Sequence, residues 1–402
     1  MEDWKEYRLG EMIQCNPQVK LEKGKSYNLI DIDSIEIGSR YVKGKELTVY
    51  DGQSGCHFQN GDTVMARITP CLENGKIAQV QCESQKGFGS TELFVFRGTE
   101  NKTDSDYVFN LMSMQFIRNL AANSMTGASG RQRADLGFIK RIKWNFPPLP
   151  TQQKIASILS AYDNLIQNYK KQIEALQTGA CELYKEWFVR FRFPGYQTAE
   201  FENGIPEGWK IERIGNIGEV IGGGTPSTEN EEYWDGDIPW LSPVDLSDNT
   251  NVYVSRGGKN ITKLGLQKSS AKMMPKDTVL LSSRAPVGYV ALAKNPICTN
   301  QGFKSVVCNT SVIQPIYLYF YFRMNKNYLQ SIASGATFPE LSGSMMKKLK
   351  VLLPQMELQK EFSKKANIFI SKAELLSEQI TNLTQQRDLL LPRLMRGALE
   401  VH

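Results

Sequence analysis

Two stretches of the chain carry apolar residues at alternating steps of three and four. In the first they fall at Leu159, Tyr162, Ile166, Tyr169, Ile173, Leu176, Ala180, Leu183 and Trp187. This is the spacing of a and d positions in a heptad, with a period of 3.5. In the second stretch, 207 positions on, stand Ala366, Phe369, Ala373, Leu376, Ile380, Leu383, Arg387, Leu390 and Leu394, and only Arg387 breaks the seam. The flanks are rich in Lys, Gln, Glu and Asn, so neither helix is buried all round. Each seam predicts a helix of roughly 30 residues, about 45 Å long. Most amphipathic helices pack on their own domain, but a seam this long and narrow suits a partner helix better. The partner at hand is the other copy, which gives an antiparallel coiled coil with pseudo-two-fold symmetry and the domains at opposite ends.

The rest of the chain repeats as well. Trp4-Lys5 with Arg8-Leu9-Gly10 returns as Trp209-Lys210 with Arg213-Ile214-Gly215, and Asp62-Thr63-Val64 returns as Asp277-Thr278-Val279. Pro148 with Gln153-Lys154 returns as Pro354 with Gln359-Lys360. Two copies of a unit of about 200 residues therefore fill the chain, which fits the usual size of a domain. The prolines of 146–150 stiffen the start of the first helix, Phe193-Pro194-Gly195 ends it, and Pro392 should kink or stop the last turn of the second. The predicted organisation is a domain over 1–146, a helix within 147–195, a linker over 196–208, a second domain over 209–350, and a helix with a tail over 351–402. Short apolar runs such as 62–68 and 304–307, separated by Gly, Asn and Asp, make each domain α+β with many turns.

Composition narrows the chemistry. The 402 residues hold 48 Lys and Arg against 42 Asp and Glu, a net charge of +6 that suits a polyanionic partner without requiring one. Seven cysteines, none spaced as C-x-x-C, exclude a zinc ribbon and a thioredoxin-type pair. Their odd number, with a charged Met1–Leu9 segment that does not resemble an export signal, reads as reduced thiols in a cytoplasmic protein. Two histidines leave histidine chemistry poorly supplied, and the aromatic run 317–322 is far short of a membrane span.

Several blocks carry a resemblance. Gly222-Gly223-Gly224-Thr225-Pro226-Ser227 precedes Tyr233-Trp234-Asp235-Gly236-Asp237-Ile238-Pro239-Trp240. Then come Ser282-Ser283-Arg284-Ala285-Pro286-Val287-Gly288, Thr299-Asn300-Gln301-Gly302-Phe303-Lys304 and Ser334-Gly335-Ala336-Thr337. The first half answers with Ile68-Thr69-Pro70-Cys71, Asn74-Gly75-Lys76, Gly89-Ser90-Thr91-Glu92 and Ser129-Gly130-Arg131-Gln132-Arg133. In this order, and with the duplicated helix, they resemble the target-recognition domains of specificity subunits of type I restriction-modification enzymes, over nearly the whole chain. The resemblance implies a subunit without catalysis of its own that reads a split, asymmetric site in double-stranded DNA. It also implies docking to two methyltransferase subunits that use S-adenosylmethionine, with restriction subunits, ATP and magnesium on the partner side.

A reader of duplex DNA needs cations for phosphates and amide or guanidinium groups for base edges. Candidates in the first half are Thr69, Lys76, Ser90, Arg131, Gln132 and Arg133; in the second, Thr225, Ser227, Arg284, Asn300, Gln301, Lys304 and Thr337. Each has a bland alternative: Arg284 beside Pro286 could tie down a turn, and Asn300-Gln301 could cap one. Gly222–Gly224 lacks the glycine spacing and the lysine of a phosphate cradle, so turn formation is expected, and Trp234 and Trp240 are expected to pack in the core. The chain has no cofactor loop or Asn/Asp-Pro-Pro-aromatic motif; Asn145-Phe146-Pro147-Pro148 is in the wrong order, and Glu100-Asn101-Lys102 is isolated. A diverged stand-alone methyltransferase or nuclease, and a coiled-coil scaffold that never touches DNA, remain the alternatives.

Overall fold

The computed structural model describes residues 4–127, 132–247, 249, 251–334 and 339–401. The chain divides into two units, one of Met1–Asn168 with Gln379–His402 and one of Tyr169–Glu378. Each has the α+β architecture expected of it.

In the first unit, a five-stranded sheet runs in the order Ile13–Cys15, Leu93–Gly98, Thr63–Ala66, Ile77–Val80, Tyr41–Val42. The period of two along its strands sets the layers. Met65, Phe94 and Phe96 face the helices Ser105–Ser113 and Gln115–Asn123, while Val64, Ala66, Leu93 and Val95 face the other way. On that side lies a four-stranded sheet of Leu47–Val49, Ser26–Ile30, Lys86–Gly89 and Cys56–Gln59, which supplies Ile30 and Phe58. Thr63–Ala66 and Ile77–Val80 are therefore buried throughout instead of alternating with polar positions.

The second unit repeats the plan. Gly218–Gly222, Lys304–Cys308, Val279–Leu281, Val290–Ala293 and Tyr253–Val254 form its five-stranded sheet. Val279, Leu281 and Leu292 point to the helices Pro315–Met324 and Lys326–Ile332, and Leu280, Ala291 and Ala293 to the opposite core. A three-stranded sheet of Lys259–Ile261, Trp234–Leu241 and Cys298–Thr299 stands where the first unit has four strands.

The long helices span Leu149–Tyr184 and Met356–Met395. A buried glutamine anchors each start. Gln152 donates to the carbonyls of Pro147 (2.9 Å) and Lys102 (3.0 Å) and accepts from the amide of Asp104 (3.1 Å). Gln359 donates to Pro354 (2.8 Å) and Val312 (3.3 Å) and accepts from Gln314 (2.9 Å). The matching residue is thus Gln152 and not Gln153, and Pro147 stands for Pro354, so the offset is 207 here too. A run of two prolines allowed the one-residue misreading. Pro392 neither stops nor ends the second helix, which continues for three more residues. The first helix changes to a wide π-type turn at Lys185–Val189, before Phe193-Pro194-Gly195 is reached.

Within each unit, segments of the two helices run antiparallel. In the first, Leu159 shares a core with Leu394 and Met395, and Asp163 meets Arg387. In the second, Gly179 lies against Phe369 and Tyr184 against Phe362. Leu159, Ile166, Ile173, Ala180, Trp187, Ala366, Ala373, Leu376 and Leu394 are buried; Tyr162, Tyr169, Leu176, Leu183, Phe369, Ile380, Leu383 and Leu390 are half-buried. The seam break at Arg387 has a partner. Its guanidinium lies 2.8 Å from Asp163, whose other oxygen is 3.1 Å from the buried Arg40 of the first domain.

Candidate nucleic-acid interface

Segments that the sequence offered one by one meet on one backbone frame. In the first unit the amide of Arg67 donates to the carbonyl of Glu92 (2.9 Å), that of Ala134 to Arg67 (2.8 Å), and that of Thr69 to Gln132 (3.1 Å). In the second, Ser283 donates to Gly302 (2.7 Å) and Leu341 to Ser283 (2.9 Å). Arg67 and Ser283 thus occupy the same place, as do Ala134 and Leu341, and Arg133 corresponds to Glu340.

Unlike charges occupy that last shared position, and each has drawn an opposite partner. Arg133 grips Glu92 with Nε (2.8 Å) and Nη2 (2.5 Å). These bonds hold the Glu92 carboxyl below its ordinary range. In the second unit Glu340 is flanked by Lys304 (3.2 Å) and Arg284 (3.6 Å). Both sites are partly open to solvent, where salt screens an ion pair and a phosphate can compete with the carboxylate for the cation.

Other predicted residues are engaged in local structure. Lys76 donates to the carbonyl of Ile32 (2.9 Å) and lies 3.6 Å from Asp33. Ser90 accepts from the amide of Glu92 (3.1 Å), and the Thr69 hydroxyl contacts the Met125 sulfur at 3.1 Å. Asn300 caps its own turn by accepting from Gly302 (2.8 Å), while Thr225 donates to the exposed Gln301. The Ser227 hydroxyl accepts from Glu229, and its carbonyl accepts from the Trp234 indole (3.0 Å). Gln132 is half-buried and has no side-chain partner among the described residues. Arg131 and Thr337 lie outside the described residues.

Trp234 and Trp240 pack edge-to-face on each other at 5.1 Å, and the Trp240 indole donates to Gly224 (2.9 Å). Gly223 and Gly224 serve close approach and not a turn, while Gly222 closes the strand Gly218–Gly222. A Cβ on Gly223 would sit 2.0 Å from the carbonyl of Asn300, and one on Gly224 2.3 Å from Ser270.

Arg67 was missed by the sequence reading. Its guanidinium lies over the Phe94 ring at 4.8 Å, and its Nε is buried without a hydrogen-bond partner among the described residues. It stands directly before the block Ile68-Thr69-Pro70, the one signal that could have flagged it. Glu92 and Glu340 were missed as partners because acids are not expected beside DNA. Among the described residues no group of three or more His, Cys, Asp or Glu side chains could hold a metal ion, and no helix is long and apolar enough to cross a membrane. All seven cysteines are free.

Comparison with known proteins fits this duplicated frame. The chain is 47% identical over 161 residues to the type I restriction enzyme MjaIX specificity subunit of Methanocaldococcus jannaschii, a match covering 40% of this chain and 37% of that one. It is 25% identical to the HindI specificity subunit of Haemophilus influenzae, across 99% of this chain and all of that one. The fold matches a solved type I restriction-modification S subunit from M. genitalium with a TM-score of 0.58 at 15% identity, over 97% and 96% of the two chains. The type I restriction modification DNA specificity domain matches twice, at residues 1–178 and 206–385, and the chain belongs to that family.

Proposed function

We propose that this chain is the DNA-reading subunit of a type I restriction-modification enzyme, each unit reading one half of a split, asymmetric site. One observation carries the proposal: the two units display different side chains on one backbone frame. Arg133 stands where Glu340 does, and both side chains are partly open to solvent. Equal frames place two readers in equivalent poses, and unlike side chains give them different base preferences. The relatives are named as specificity subunits, which supports a role in recognition and not in catalysis.

On this reading two methyltransferase subunits dock on the duplicated chain, because two similar halves offer two similar surfaces. They bring S-adenosylmethionine; restriction subunits, with ATP and magnesium, join the same complex in the cytoplasm. Exchange of residues 209–350 for those of a relative with another specificity tests the modular reading. One half-site should change and the other stay. A change in both halves would refute it.

A further inference from the structure

The two units differ sharply at one place that none of the candidate DNA-reading residues lines. In the first unit a cleft of about 480 Å³ opens between the domain and the long helices. At the equivalent place in the second unit the cavity is about 10 Å³. The glutamine anchors fix the equivalence: Asp104 and Gln314 bond to Gln152 and Gln359, so Asn110 corresponds to Phe320. Along the helices, Leu391 corresponds to Tyr184 and Ile155 to Phe362.

In the second unit those three places hold rings. Phe320 stacks on Tyr184 at 6.0 Å and meets Phe362 edge-on at 5.6 Å. In the first unit they hold an amide and two aliphatic side chains, and the rings' volume is left open. Asn110 is 3% exposed, and its Nδ2 has no hydrogen-bond partner among the described residues. An orphaned buried amide is costly, and a bound group that accepts from it would remove that cost.

The charge around the cleft is uneven. Arg40 and Arg387 are matched by Asp163, Asp106 and Asp388. Arg118 is not: its guanidinium reaches only the carbonyls of Ser113 and Glu73 and the amide oxygen of Gln115. Arg396 lies over the Phe116 ring at 5.5 Å. Neither arginine has a carboxylate partner among the described residues. The walls between them, including Met114, Phe116 and Leu391, are apolar.

We propose that this cleft is a binding site for a small ring-bearing anion, an aromatic or heteroaromatic phosphate or carboxylate. The ring takes the volume that Phe320 and Tyr184 fill in the other unit, an acceptor on it meets Asn110, and the anionic group meets Arg118 and Arg396. The size is ordinary for a small-molecule site, as is the mix of apolar wall and few polar groups.

Titration calorimetry of the full chain at low salt, with adenosine monophosphate and with benzoate, tests it. Saturable binding of at least one is expected, and Asn110→Phe, which restores the ring of the second unit, should abolish it. Arg118→Gln, whose side chain faces partly open surroundings, should weaken the anion about tenfold while leaving adenosine unchanged. No binding of either probe up to millimolar concentration overturns the proposal. Binding that survives both substitutions overturns it too, because the anion then sits elsewhere.

Discussion

At the scale of single residues, the difference between a reader and a prop is whether a donor is already spent. Asn300 closes its own turn, and Lys76 is held by the carbonyl of Ile32. Gln132 has no such commitment, and Arg67 keeps a buried Nε unmatched. Gln132→Ala is therefore expected to cost roughly 1–3 kcal/mol of discrimination at one base pair of the first half-site. Competition binding of the assembled complex on single-base variants measures it. A loss spread evenly over all sequences would assign Gln132 to the phosphates or to the frame instead. Arg67→Ala should weaken binding and shallow its salt dependence, as loss of one phosphate contact does. Sequence could name the donor types but not their partners, since Glu92 and Arg133 lie 41 positions apart.

At the scale of elements, the helices were legible and the sheets were not. A heptad seam is written locally, one residue every three or four, and it repeats. The strands are two to eight residues long and pair with distant segments, as Tyr41–Val42 does with Ile77–Val80. The seam break at Arg387 was visible; its reason was not, because Arg40 and Asp163 are 123 positions apart. The second unit shows what the triad replaces. Val252 holds the backbone place of Arg40, for the amides of Leu292 and Gln79 donate to those two carbonyls at 2.7 Å each. Ile370 and Ala180 correspond to Asp163 and Arg387, and all three are buried in an apolar core. Removal of one member of a buried ionic group strands the others, whereas apolar replacement of the whole group is often neutral or stabilising. Asp163→Ala is thus expected to cost about 3–5 kcal/mol, and the triple change Arg40→Val, Asp163→Ile, Arg387→Ala much less. Urea denaturation compares them directly. A triple variant as unstable as the single one would show that the ions do more than fill their place.

At the scale of the whole molecule, the repeat is the organising fact. The long helices contribute residues to both units, Leu149–Tyr184 starting in one and ending in the other. On the proposed function they act as the spacer between half-sites. Insertion of one heptad after Leu176 and one after Leu383 keeps both seams in phase and adds about 10 Å to each helix. The unread gap should lengthen while both half-sites stay the same; an unchanged gap would refute the spacer. The duplication, the seams and the blocks were legible in sequence because each is a local pattern that occurs twice. The unequal filling of the two units was not, because Asn110 against Phe320 becomes a comparison only once Gln152 and Gln359 set the register. The proposed function is tested most directly by expressing the chain with a type I methyltransferase subunit and mapping adenine methylation across a genome. A single split motif with two unlike halves is expected, absent when either subunit is left out. Methylation by this chain alone, or by an active complex without a defined motif, would contradict it.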